Sequence, residues 1–138
     1  MPVMPERTGW RDERISLRHR KWGIGCTTTD FDFLMLEYEF GNPSAIVEYK
    51  HEFAEPQSPA KPQYQAIIKL GNCAKIPVIA CRYSDDFSRF KVVPLNDYAK
   101  KFIPQRIELD ENGWVTLLYK IRGHEVTPEF LESMKVKI

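Results

Sequence analysis

Glu48 and Lys50 stand two residues apart in the run Ala45 to Phe53 (AIVEYKHEF), whose apolar and aromatic content reads as a strand. Side chains two apart on a strand project from one face, so the acid and the ammonium emerge together. Asp30 and Asp32, in the preceding run Asp30 to Phe40 (DFDFLMLEYEF), share a face by the same rule. A hairpin that lays the two runs side by side would bring two or three carboxylates together beside one lysine. Carboxylate oxygens are hard ligands suited to Mg²⁺ (or Mn²⁺), cations that keep several waters and take phosphate oxygens. Lys50 would then orient or help deprotonate a metal-bound water and offset charge on a scissile phosphate. Clustered carboxylates repel one another without a cation, which favours a metal site over coincidence. Two plainer readings stay open: E-x-K on a strand is also the spacing of a solvated ion pair, and aspartates at a strand start also cap it.

The elements that must position these residues follow from punctuation and period. Gly41-Asn42-Pro43-Ser44 is a dense turn signal between the two strand-like runs and predicts a β-hairpin. Upstream, Arg11 to Trp22 is rich in Arg and Glu, lacks internal Gly and Pro, and ends at Gly23, which predicts a helix. Residues 54–63 (AEPQSPAKPQ) hold three prolines and read as a loop. Ala66, Ile67, Leu70 and Cys73 or Ala74 then fall at helical spacing, predicting a helix over Pro62 to Ala74 that Gly71 and Asn72 would cap early. Ile76 to Tyr83 (IPVIACRY) is the nearly continuous apolar run of a strand covered on both faces. Arg89 to Pro94 (RFKVVP) adds another strand, and Asp110-Glu111-Asn112-Gly113 reads as a turn before a strand at Trp114 to Arg122 (WVTLLYKIR). Thr127, Pro128 and Glu129 open a short terminal helix. The order predicts one α+β domain over residues 1–138, built on a mixed β-sheet with a β-rich C-terminal tail.

A hydrophobic share of 43% with 28% charged residues suits a globular chain with its own core. No apolar run approaches the roughly 20 residues of a membrane span, and the start MPVMPERTGW lacks the apolar stretch of a secretory signal. A cytoplasmic protein without a membrane partner is expected. Cys26, Cys73 and Cys81 lack C-x-x-C spacing, which argues against disulfides and cysteine-rich zinc sites and for reduced, mostly buried thiols. The formal net charge of +1 hides a pattern: residues 26–56 carry seven acids against Lys50 alone, while residues 1–25 carry six Lys and Arg against three acids. Acids concentrated between basic flanks suit a divalent cation with a polyanion held around it, although simple charge scatter gives similar totals. His51 alternates away from Glu48 and Lys50 and is expected on the other strand face.

Asp30, the turn at Gly41 to Ser44, and Ile46-Val47-Glu48-Tyr49-Lys50 together resemble the signature of the PD-(D/E)XK nuclease superfamily, whose fold is called restriction-endonuclease-like. That family's core is a helix, a three-stranded meander bearing the acid and the E-x-K pair, a second helix and another strand. Residues 11–83 fit this order as an α-β-β-α-β core, with one further short strand to be sought within Ile24 to Thr29. T-D-F-D-F also resembles the D-R-I-D pattern of some members, where the first aspartate is the metal ligand, which ranks Asp30 above Asp32. Thr29 stands where the family name has proline.

The resemblance implies catalytic Asp30, Glu48 and Lys50, a Mg²⁺ or Mn²⁺ ion held among Asp30, Asp32, Glu48 and Tyr49, and hydrolysis of DNA by an endonuclease of phage or mobile-element type. Glu13 resembles the acidic helix residue that some members add to the metal site, and Gln65 begins the helix where members carry Gln or Lys near the scissile phosphate. Glu37 enters because a tight hairpin register would set it opposite Glu48. Arg11, Arg14 and Arg18 of the first helix are the expected nucleic-acid contacts. Many small nucleases of this fold dimerise, so a homodimer is a further expectation. The alternative is a catalytically inactive nucleic-acid-binding protein on the same scaffold.

Overall fold

The chain clusters into two units, Met1–Asp30 and Phe31–Ile138, and the computed structural model describes residues 14–29, 31–56 and 58–135. In the first unit, the arginine-rich run forms helix α1 (Arg14–Lys21). Gly23, at φ 89 and ψ −173, takes an extended positive-φ conformation that is open to glycine and lets the chain leave the helix. The strand sought within residues 24–29 is not there: Ile24–Cys26 is a single 3₁₀ turn.

In the second unit, β1 (Phe33–Glu37) and β2 (Asn42–His51) pair antiparallel as the predicted hairpin. Two boundaries differ from expectation. β1 is shorter than Asp30 to Phe40, and the turn occupies residues 38–41 instead of Gly41 to Ser44. The cause is local: Glu37 caps the turn, its carboxylate accepting the amides of Glu39 and Phe40 at 2.8 Å each, and Gly41 closes it at φ 73. Pro43 therefore falls inside β2, opposite Leu36, and the register slips between Met35 and Leu36. An edge pairing with a bulge is where a residue without an N–H is tolerated.

Helix α2 (Pro62–Ala74) has the predicted bounds, with Pro62 in its first turn and Lys75 left-handed at its C-terminus. Gly71 does not stop it early. It is buried within the helix, and a Cβ there would run into Val78, so the glycine lets α2 lie close to the sheet. The chain returns as β3 (Val78–Tyr83), parallel to β2, and continues into β4 (Phe90–Pro94) and β5 (Ile107–Leu109), each antiparallel to its predecessor. The sheet is mixed, in the order β1-β2-β3-β4-β5. With helices against it, the fold is α+β.

The tail is not β-rich. After α3 (Asp97–Lys100) and β5, the segment expected as a strand at Trp114 to Arg122 is instead helix α4 (Glu111–Ile121). Asp110 decides the matter, its carboxylate accepting the Gly113 amide at 2.8 Å, which turns the presumed hairpin turn into a helix N-cap. Trp114, Leu117, Leu118 and Ile121 then fall on one helical face and pack into the core. Helix α5 (Pro128–Met134) starts as expected, with Thr127 accepting the Phe130 amide.

One sheet face carries the larger core, where Val47, Ile79, Cys81 and Val92 meet Ala99, Ile103 and Trp114. The other is covered over Ile46 and Val78 by Ile67 of α2 and by Ile76. Each such aliphatic side chain contributes about 1.5–3 kcal/mol on burial. Of the three cysteines only Cys81 is buried; Cys26 and Cys73 are exposed, contrary to expectation. Among the described residues no helix is long and apolar enough to cross a membrane.

Candidate functional site

Ile46, Glu48 and Lys50 alternate onto the face that α2 packs against, with Ile67 of α2 over the Ile46 end and Tyr64 of its first turn beside Glu48 and Lys50. Beyond Ile46 the face is polar. Glu48 lies in register with Ala80, and Lys50 with Arg82. Asp32 directly precedes β1, and the pairing of Phe33 with Val47 brings it beside Glu48. Two hydrogen bonds lock the pair: the Asp32 amide donates to Glu48 Oε2 at 2.7 Å, and the Tyr49 amide donates to Asp32 Oδ2 at 2.9 Å. Glu48 is 7% exposed. Burial raises its pKa above the ordinary carboxylate value and the Asp32 charge adds to the rise, while the Asp32 amide and Lys50 pull it back.

Glu48 and Lys50 open into a hollow of about 240 Å³ whose wall includes Pro59, Tyr64, Arg82 and Arg106. Tyr64 comes from the first turn of α2. Burial, then the Glu48 charge, push its phenol above the usual range, so it stays a proton donor at neutral pH. Arg82 fixes the loop after β2 by donating to the carbonyls of Ala54 at 2.8 Å, Glu55 at 3.1 Å and His51 at 3.3 Å. Gln65 fixes the same loop further on, its side-chain amide donating to the Pro59 carbonyl at 2.9 Å.

Of the residues singled out in the sequence, Asp32, Glu48 and Lys50 come together. Asp30, Glu13 and Arg11 lie outside the described residues. Arg14 and Arg18 are exposed on α1, in the first unit. Glu37 is not opposite Glu48: it pairs with Asn42, and its carboxylate is occupied by the turn amides. The Tyr49 side chain turns to the opposite face, where its hydroxyl accepts the Trp114 indole N–H at 3.0 Å. Burial pushes this phenol up to about 12, so it remains protonated and leaves only main-chain atoms near Glu48. His51 is on the other face as expected, 2.7 Å from Asp85. Gln65 serves the loop while its neighbour Tyr64 lines the hollow.

Sequence reasoning missed Tyr64, Arg82 and Arg106. Arg82 left a signal, a charge near the end of the apolar run IPVIACRY that a strand covered on both faces would not carry. Tyr64 and Arg106 left none, because their placement depends on how α2 and β5 meet the sheet.

Among the described residues no group of three or more His, Cys, Asp or Glu assembles to hold a metal ion. The pair Asp32 and Glu48 nevertheless offers hard oxygen donors, and among the described residues no hydrogen bond engages Oδ1 of the first or Oε1 of the second. Two carboxylates fit a cation of the Mg²⁺ kind, which fills its remaining positions with water and phosphate oxygens. Compared with known proteins, the chain matches no family model, no curated protein and no solved structure.

Proposed function

We propose that the chain is a metal-dependent nuclease that hydrolyses phosphodiester bonds of DNA on a restriction-endonuclease-like core. The observation that carries this reading is the Asp32–Glu48 pair locked by two main-chain amides, with Glu48 lining the hollow and Lys50 beside it on the same strand face. The order of hairpin, helix and parallel strand through β1, β2, α2 and β3 agrees with the resemblance, and the missing strand in residues 24–29 departs from it.

In this reading Glu48 and Asp32 would hold Mg²⁺ or Mn²⁺, with Asp30 close by in sequence. The ion, when bound, supplies Lewis-acid polarisation of the phosphoryl group and a more acidic water. Lys50 holds an ammonium where negative charge develops on the phosphate, and the protonated Tyr64 offers a hydrogen bond to a phosphate oxygen. The half-buried setting of Lys50 strengthens this electrostatic contribution relative to open water.

A second reading, a nucleic-acid-binding protein without catalysis, is favoured by one observation: both carboxylates accept main-chain amides, the task of a purely structural strand lock. Incubation with plasmid, linear duplex, single-stranded and branched DNA, and with RNA, under Mg²⁺ and under Mn²⁺, separates the two. Metal-dependent scission of DNA supports the nuclease; binding without scission of any substrate selects the second reading.

A further inference from the structure

Register sets Lys50, Arg82 and Lys91 in one file across β2, β3 and β4, one cation on each successive strand. Neighbouring strands lie roughly 4.8 Å apart, so the file spans about 10 Å. A second hollow, of about 370 Å³, continues from the first along this file. The two share Ala80, Arg82, Val93 and Arg106, so Arg106 adds a fourth cation beside the file. Among the described residues none of these four has a carboxylate at ion-pair distance. Arg82 is held by carbonyls, which orient its guanidinium without cancelling its charge. Glu108, in register with Lys91, marks the end of the file at β5.

We propose that this file is a track for the phosphodiester backbone of single-stranded DNA, running across the strands from the Glu48 hollow toward β5. It rests on the nuclease reading only for what happens at its Glu48 end. Evenly spaced cations that outnumber the two carboxylates of the groove, Glu48 and Glu108, select a polyanion. One file serves one row of phosphates, whereas a duplex presents two rows around a groove that needs a protruding helix or ribbon to read it. Tyr64, on the wall above the start of the file, supplies an aromatic face on which an unpaired base can stack. Beside the file, Ala80 and Val93 of the adjacent row offer no side-chain partner to a 2′-hydroxyl, so they add nothing that favours RNA over the DNA of the nuclease reading.

The test uses the full-length protein in EDTA, where binding is read without metal-dependent scission, and follows the fluorescence anisotropy of labelled single-stranded DNA, duplex DNA of the same sequence and single-stranded RNA. Lys91→Gln and Arg106→Gln are the informative variants, since Arg82 also holds the loop. A single-strand phosphate contact contributes about 0.7 to the slope of log affinity against log salt. Each variant should therefore flatten the slope by about 0.7 and weaken binding about fivefold at about 0.1 M salt. Lys120→Gln, on α4 across the sheet, should change neither, and thermal melts of all three check that they fold. Variants that bind single-stranded DNA like wild type overturn the track, as does tighter binding of duplex or RNA. Binding along the track with no scission under Mg²⁺ overturns the nuclease reading alone; undiminished scission by both glutamine variants, with unchanged binding, overturns the track alone.

Discussion

Glu48 and Asp32 hold each other through main-chain amides: the amide of Asp32 donates to the Glu48 carboxylate at 2.7 Å, and the Asp32 carboxylate accepts the amide next along from Glu48 at 2.9 Å. The arrangement fastens the entry to β1 onto the middle of β2. It also forces two negative charges together where one of them is buried, a cost that hydrogen bonds from neutral amides offset only in part. A structural lock could be made with one carboxylate and a neutral partner. In the proposed nuclease, the second charge is what would give the pair an affinity for a cation.

The cost has a pH signature. The folded-state pKa of Glu48 lies above its ordinary 4.5, so the folded protein binds this proton more tightly than the unfolded chain does. Stability from this group is full below 4.5 and is lost as pH rises through the raised value. Glu48→Gln keeps an oxygen for the Asp32 amide and removes the charge. In EDTA its Tm should exceed that of wild type at neutral pH, and the gain should fade in acid. Equal melting temperatures across that range would mean that Glu48 is effectively solvated.

A divalent cation should reverse the balance. Ligand binding to the folded state alone stabilises by about 2.7 kcal/mol at a concentration of about 100 Kd. Mg²⁺ or Mn²⁺ should raise the Tm of wild type, and Glu48→Gln and Asp32→Asn should each remove most of that rise. Asp30→Ala belongs in the same series, because the family resemblance ranks that residue first. A shift untouched by all three substitutions would place the cation elsewhere.

Helix α4 supplies the test of the fold. Asp110→Ala removes the N-cap and should cost about 1 kcal/mol. Trp114→Ala, which empties a 3% exposed site between the helix and the sheet, should cost about 3–5 kcal/mol. Urea titrations followed by circular dichroism give both values. A negligible effect of Trp114→Ala would mean that α4 is not seated on the core.

Much of this architecture can be read from local chemistry. α2 is legible in both bounds because Pro62 suits a helix start and the apolar residues behind it repeat at helical spacing. β3 is legible as an apolar run. Trp114 to Arg122 misleads because it is rich in strand formers and carries helical spacing at the same time, and the cap at Asp110 is the feature that discriminates. At the site, strand parity puts Glu48 and Lys50 together, but the partner acid depends on hairpin register. Moving the turn to residues 38–41 selects Asp32 over Glu37. Arg82 could be noticed as a charge in an apolar run, but its place beside Lys50, and that of Lys91 beyond it, could not, since the parallel register of β2 with β3 is set by the path through α2 and not by residues near Lys50.

Lys50 separates chemistry from binding more sharply than the acids do. Its partner in register, Arg82, also holds the loop after β2, so Lys50 is the cation near Glu48 whose removal leaves that loop intact. Loss of a carboxylate should abolish metal affinity and scission together, because it removes a ligand. Lys50→Ala should leave the metal-induced Tm shift intact and weaken DNA binding no more than one lost phosphate contact does. Its scission rate should nevertheless fall about 100-fold or more, the usual effect of removing a group that stabilises charge in the transition state. Single-turnover cleavage, with protein in excess over labelled DNA, measures that rate free of product release. A Lys50→Ala protein that cuts as fast as wild type would make this lysine an ordinary member of the cation file, with no part in the reaction at Glu48.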